Sequence, residues 1–333
     1  INAGLGLATA AALWLLGVSQ LVRGAYDVAN HRYREARPFF EQAREPENLG
    51  AISFLLAEGL QFSGQIPAGQ SEALLGLRLL SPFRRSSRLN NHLTTVAAYA
   101  RADGLSHAAL AIMDEVLDVA PTLGRPQAIA LARVARANDL IALRRLDAAR
   151  AEFDEALRWV DKIDAGPGRD RTLADVLLVR GEIERAEDPK AAVPTLARVA
   201  SIYRGLKTDG HLAEALYQEA LAAQKTGDAI GARGRLQEAI DAIERQSASF
   251  ASPETRALLY ETVERVFDAT VRIELADKRS DSAFAYLERG RVAAWAPNAR
   301  LGNGHAPASL TRIREQLPAD AVFVEYALLP DTL

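Results

Sequence analysis

The stretch RLDAARAEFDEAL, Arg145 to Leu157, decides how the rest of the chain reads. Ala149, Phe153 and Ala156 stand at offsets of four and three, on one face of a helix that turns every ~3.6 residues. A small residue on that face lets a neighbouring helix come close, and the large one a turn later fills the space beside it. The same grammar returns in YREARPFFEQA (Tyr33 to Ala43), GLSHAALAIMDEVL (Gly104 to Leu117) and GDAIGARGRLQEAI (Gly227 to Ile240). The triplets there are Ala36, Phe40, Ala43; Ala109, Met113, Val116; and Ala232, Leu236, Ala239. Two looser copies, Ala73, Leu77, Leu80 and Ala192, Leu196, Val199, fill the gaps, so the leading alanines recur every 36 to 43 residues.

Each copy follows another helix-like stretch, such as LARVARANDLIALRR before Ala149 or LAEALYQEALAAQK before Ala232. In the second case Thr226, Gly227 and Asp228 supply the turn between the two helices. A last pair is expected from SPETRALLYETVERVFDATVRIELA, with Pro253 and Glu254 opening a helix, and SDSAFAYLERGRVAAW, where Ala283 and Leu287 keep the spacing. The pattern predicts about seven stacked helical hairpins, hence an all-α solenoid.

Composition narrows the function classes. The 333 residues are 49% hydrophobic and 25% charged, ordinary for a chain with its own core. A net charge of −3 supplies no global field to attract nucleic acid, so no nucleic-acid partner is expected. Without cysteine there is no disulfide, thiolate metal site or cysteine nucleophile in these residues. The histidines His31, His92, His107, His211 and His305 are scattered, with no pair at ligand spacing, so no metal and no cofactor is expected. GLGLAT at Gly4 to Thr9 lacks the third glycine and the preceding strand of a dinucleotide loop, and no phosphate loop or nucleophile elbow is present. Residues 1 to 22 carry no charge and are long enough to cross a bilayer. They read as a hydrophobic N-terminal helix (1–16) leading into the first repeat. Cytoplasmic location is the expectation, with a membrane anchor or export signal as the alternative.

The Ala, large, Ala series resembles the second helix of the tetratricopeptide repeat (TPR) family. Gly24, Ala97, Ala137 and Ala220, each twelve residues before its second-helix alanine, match that family's small first-helix residue, and Pro121 its helix-ending proline. The resemblance covers residues 17–295 and implies a right-handed α-solenoid. The long period leaves HEAT or armadillo repeats as the alternative. After Trp295, APNARLGNGHAPAS (296–309) reads as a linker, LTRIREQL as a short helix, and Val322 to Tyr326 as a strand. In that order, with Glu288, Arg289, Arg291, Leu317, Pro318, Glu325 and Tyr326 as the matching residues, the tail resembles the junction at which bacterial TPR proteins join a CHAT domain, a caspase-like α/β peptidase. The resemblance implies that residues 310–333 begin a truncated α/β domain whose histidine and cysteine are absent. The chain is then the recognition arm of a cysteine peptidase and itself no enzyme; the alternative is a self-contained TPR adaptor.

The expected partner is a protein or peptide on the concave face, lined by the first helix of each hairpin. First-helix polar residues facing away from the small-residue stripe give the candidate groove: Asn91, Thr94, Arg101, Asn138, Arg185, Tyr217, Gln224 and Lys225. Amides suit a peptide backbone, and Arg and Lys suit a carboxylate. The basic cluster Arg84, Arg85, Arg88 in PFRRSSRLNNH reads as a solvated turn between hairpins. The acidic runs Glu152, Asp154, Glu155 and Glu182, Glu184 read as solvated helix faces.

Overall fold

The computed structural model describes residues 3–22, 25–63, 65–249, 253–295, 310–318, 320–322 and 324. The chain forms two compact units, residues 1–187 and 188–333. The first holds α1 (Ala3–Val22), α2 (Tyr26–Gln42), α3 (Pro46–Phe62), α4 (Ile66–Leu80), α5 (Ser87–Ala102), α6 (Ser106–Val119), α7 (Pro126–Ala142), α8 (Leu146–Val160) and α9 (Pro167–Glu187). Here α1 packs on α2, α3 on α4, α5 on α6 and α7 on α8, while α9 lies against α7 and α8. The second holds α10 (Pro189–Leu206), α11 (Asp209–Lys225), α12 (Ala229–Ser249), α13 (Pro253–Ala276), α14 (Ser280–Trp295) and the short α15 (Leu310–Gln316). In it α11 packs on both α10 and α12, and α13 on α14.

The alanine register decides the packing. Ala36, Ala73, Ala109, Ala149, Ala192, Ala232 and Ala283 are all buried, on α2, α4, α6, α8, α10, α12 and α14 in turn. Their first-helix counterparts Ala97, Ala137 and Ala220 are buried too, while Gly24 lies outside the described residues. The large members Phe40, Met113, Phe153, Leu196 and Leu236 fill the space between helices, while in the Ala73 copy Leu77 is half-buried and Leu80, three residues on, is the buried one. In the first unit this gives apolar clusters such as Ala137, Leu140, Ala149, Phe153, Ala156 and Val160. The long period follows from long helices, which run to 21 residues in α9 and α12 and 24 in α13. Pro121 lies in a single 3-10 turn after α6, where a proline ends the helix as expected.

Helix starts follow ordinary rules. Proline opens α3, α7 and α10, the Ser86 Oγ accepts from the Arg88 amide at 3.2 Å, and Asp188 accepts from the Lys190 amide at 3.1 Å. The turns are less usual. Alongside Gly104 and Gly227, the basic residues Arg44, Arg144, Lys207 and Lys278 take the left-handed conformation just past a helix. That costs a non-glycine residue about 1 kcal/mol, partly offset by a cation beside the negative end of the helix.

The first helix, α1, sets its small residues against α2: a Cβ on Gly17 would run into the Tyr33 ring, and Ala10 is fully buried. Its other face, with Leu5, Leu15 and Leu16, is exposed, and Gly4–Leu21 is long and apolar enough to cross a membrane. The tail departs from expectation. No strand forms among the described residues: Val322 and Val324 are exposed in irregular chain, and Phe323, Glu325 and Tyr326 lie outside the described residues. A strand requires a ladder partner for its backbone groups, and the described residues offer none. The linker 296–309 also lies outside them.

Candidate functional site

Within the first unit, the first helices α3, α5 and α7 line an open cleft of about 780 Å³, together with the turn before α7 and the turn after α8. Phe54 comes from α3, Asn90, Asn91, Thr94 and Thr95 from α5, and Gln127, Ala128, Leu131 and Ala132 from α7. The turns add Gly124, Arg125, Lys162, Ile163 and Asp164.

Helical spacing explains the α5 wall. Asn91, Thr94 and Thr95 are three and four residues apart and share a face, and Asn90 is one turn before Thr94. The Thr94 hydroxyl donates to the Asn90 carbonyl at 2.8 Å, so its lone pairs, not its proton, are turned to the cleft. Asn90 is only 8% exposed, and its Oδ1 accepts from no donor among the described residues. Asn91, one residue on, is exposed, so its amide is the one open to the cleft. On α7, Leu131 is 37% exposed, an apolar side chain facing the same space.

The eight groove candidates separate. Asn91 and Thr94 meet in the cleft. Asn138 lies on α7 two turns beyond Leu131, with a buried Oδ1 that also has no donor among the described residues. Arg101 is engaged inside the stack: it donates to both oxygens of the fully buried Asp139, at 2.6 and 3.0 Å, and to the Ala135 carbonyl at 3.3 Å. Arg185 is half-buried on α9 and has partners of its own. Tyr217, Gln224 and Lys225 belong to α11 in the second unit. There the Arg265 guanidinium sits 5.2 Å over the Tyr217 ring, Gln224 is exposed, and Lys225 is exposed with a partner of its own.

One reading of charged residues is corrected. Glu152 is not on a solvated face but 8% exposed, held by Arg133 at 2.8 Å and by Arg136, because the α7–α8 seam must neutralise it. Of the basic cluster, Arg84 and Arg85 are exposed in the turn between α4 and α5, with Arg84 paired to Glu115, while Arg88 lies in α5, donates to Asn48 at 2.6 Å and stands 5.0 Å over the Trp14 ring. Next to the cleft, the His92 ring donates from Nε2 to the Ala73 carbonyl at 2.6 Å, and burial holds its pKa below the usual histidine value. Glu58 on α3 is pushed up to about 7 by burial. Among the described residues no cluster of acids and histidines could hold a metal ion.

No family model matches this chain, and no curated protein does. Solved structures do. A Rap protein complexed with competence and sporulation factor superposes with a TM-score of 0.60 at 15% identity, covering 86% of this chain and 74% of that one. A tetratricopeptide repeat protein from Parabacteroides merdae matches at 0.54 and 15%, over 86% and 94% of the two chains. The apo form of the quorum sensor NprR from B. thuringiensis matches at 0.52 and 12%, over 84% and 86%. The fold is TPR-like. At these identities the likeness concerns the fold, and it supports the TPR reading over HEAT or armadillo repeats.

Proposed function

We propose that this chain is a protein-interaction scaffold that holds an extended segment of a partner in the α3–α5–α7 cleft, without chemistry of its own. The observation that carries the reading is the mixed lining of the cleft, where the side chains of Asn90, Asn91, Thr94 and Thr95 stand beside the apolar Phe54 and Leu131. A peptide backbone supplies N–H donors at regular spacing, while Phe54 and Leu131 offer an apolar surface for one of its side chains. The Rap neighbour, complexed with competence and sporulation factor, supports the idea that a stack of this kind holds a separate factor. Leu131→Arg is the informative variant, since an exposed leucine can be replaced without opening the core. Peptides enriched from a random display library are expected to lose about tenfold in affinity for it by fluorescence anisotropy, with an unchanged melting temperature. Enriched peptides that bind the variant as tightly as the parent chain would sink the assignment.

We further propose that the scaffold is the recognition arm of a CHAT-type cysteine peptidase. Its support is the order of Glu288, Arg289 and Arg291 in α14, then α15, Leu317 and Pro318, then the apolar run at 322–326. The reading frame past Leu333 tests it: a histidine and a cysteine, each after a hydrophobic strand, are expected. An immediate stop codon leaves the self-contained adaptor.

A further inference from the structure

We infer that the cleft selects an acidic partner segment, one in which a carboxylate side chain flanks a bulky apolar residue; this rests on the scaffold reading above. Two cations border the cleft, Arg125 and Lys162. In the first unit other arginines are taken up by internal carboxylates: Arg37 by Glu72 at 2.6 Å, Arg101 by Asp139 at 2.6 Å, and Arg133 and Arg136 by Glu152. Neither Arg125 nor Lys162 pairs with an acid among the described residues.

Both cations are presented by defined backbone. Arg125 follows Gly124, which is left-handed at φ 62, and precedes Pro126, which holds it in the extended region; its φ and ψ are −114 and 103. Lys162 follows α8 in a turn whose amide donates to the Trp159 carbonyl at 3.1 Å, and its Nζ stands 3.6 Å from the centre of the Trp159 ring. That ring packs against the Ala149–Phe153 core, so the lysine is anchored to the stack through it. Asp164 is the single acid lining the cleft against these two cations, which leaves it net positive. A carboxylate accepts from both ammonium and guanidinium. The exposed Asn91 amide takes the peptide backbone, and Phe54 and Leu131 take the apolar neighbour. Nucleic acid answers the charge but not this set of an amide beside an apolar floor.

The cations are exposed, so each contributes modestly to affinity and more to salt-sensitive association. The test uses the full chain and one labelled synthetic peptide sequence in three versions, a Leu-Phe pair flanked by Glu, by Gln or by Lys. Anisotropy at low and raised salt is expected to show the Glu version about tenfold tighter than the Gln version at low salt, with the gap shrinking as salt rises. Arg125→Gln combined with Lys162→Gln should erase that gap while leaving the Gln peptide unchanged. Equal binding of Glu and Gln versions, a preference that survives the double substitution, or displacement of the Glu peptide by an equal concentration of oligo(dT) overturns the inference. If the Gln peptide still binds and is lost in Leu131→Arg, the scaffold reading stands without the charge selection. Absence of binding by any version removes both.

Discussion

Replacing Arg101 by alanine is expected to destabilise the first unit by about 3–5 kcal/mol, because it strands a buried carboxylate. Asp139 is 0% exposed, and both of its oxygens depend on the one guanidinium, at 2.6 and 3.0 Å. Taking an ion out of water costs several kcal/mol, and only a bidentate partner in the same low-dielectric seam offsets that. The reverse change is milder. In Asp139→Ala the arginine, 30% exposed, can turn its charge to water, so a loss of about 1–2 kcal/mol is expected. Arg101→Met with Asp139→Leu removes both charges and should lie close to the parent chain, within about 1 kcal/mol. Urea unfolding followed by tryptophan emission reports on this region, since Trp14 and Trp159 both belong to the first unit. With a slope near 2 kcal/mol per molar urea, Arg101→Ala should lower the midpoint by about 2 M. A drop of less than about 0.5 M, or an Arg101→Ala variant no worse than Asp139→Ala, would show that the carboxylate reaches water and that Arg101 is free to bind a ligand.

In the second unit, Ala232→Arg forces a charged side chain into the fully buried α11–α12 contact and should cost at least about 3 kcal/mol; an unchanged circular-dichroism melt would count against the repeat register. Glu58 provides a pH signature. Its folded pKa is raised to about 7 from the usual 4.5, so the folded state keeps a proton that the unfolded chain gives up, and stability falls as pH rises between those values and then levels. The fall is at most about 3 kcal/mol, and Glu58→Gln should flatten it; an unaltered pH profile in that variant refutes the assignment. Gly17→Val drives a branched side chain into the Tyr33 ring and is expected to loosen α1 at a cost of about 1–3 kcal/mol, read as faster amide exchange in α1 with α7 and α8 unaffected.

The repeat was legible because its signal is periodic. Ala36, Ala109, Ala149 and Ala232 have to be small for the same steric reason, and each copy supports the others. What depends on one residue meeting another a repeat away was not legible. Arg101 lies on the face a groove residue should occupy, but its partner Asp139 stands 38 residues on, and only the stacked register brings them together. Glu152 shows the same limit, since an acid on a helix opposite an apolar stripe is solvated unless a neighbouring helix, here α7, offers arginines to it. Of two adjacent amides on α5, Asn90 is buried and Asn91 exposed. Both sit in RLNNH, and which of two adjacent amides turns inward depends on the rotation of α5, which the sequence does not specify to within one residue. The turns at Arg44, Arg144, Lys207 and Lys278 carried no glycine or asparagine to announce a left-handed residue.

Two groups of cations in the first unit have separate roles. Arg37, Arg84, Arg101 and Arg150 each reach a carboxylate 31 to 38 residues away, about one repeat, and so tie consecutive hairpins in register. Arg125 and Lys162 come instead from turns, where the backbone is held by Gly124, Pro126 and the end of α8 and no repeat contact needs their charge. Substitution at these two turns should therefore leave stability within about 0.5 kcal/mol while changing which charge the cleft accepts. A stack built this way can alter its ligand through the turns without disturbing the alanine seams. The physical reason is that register is set by buried, periodic contacts, whereas ligand charge is set by exposed, aperiodic ones.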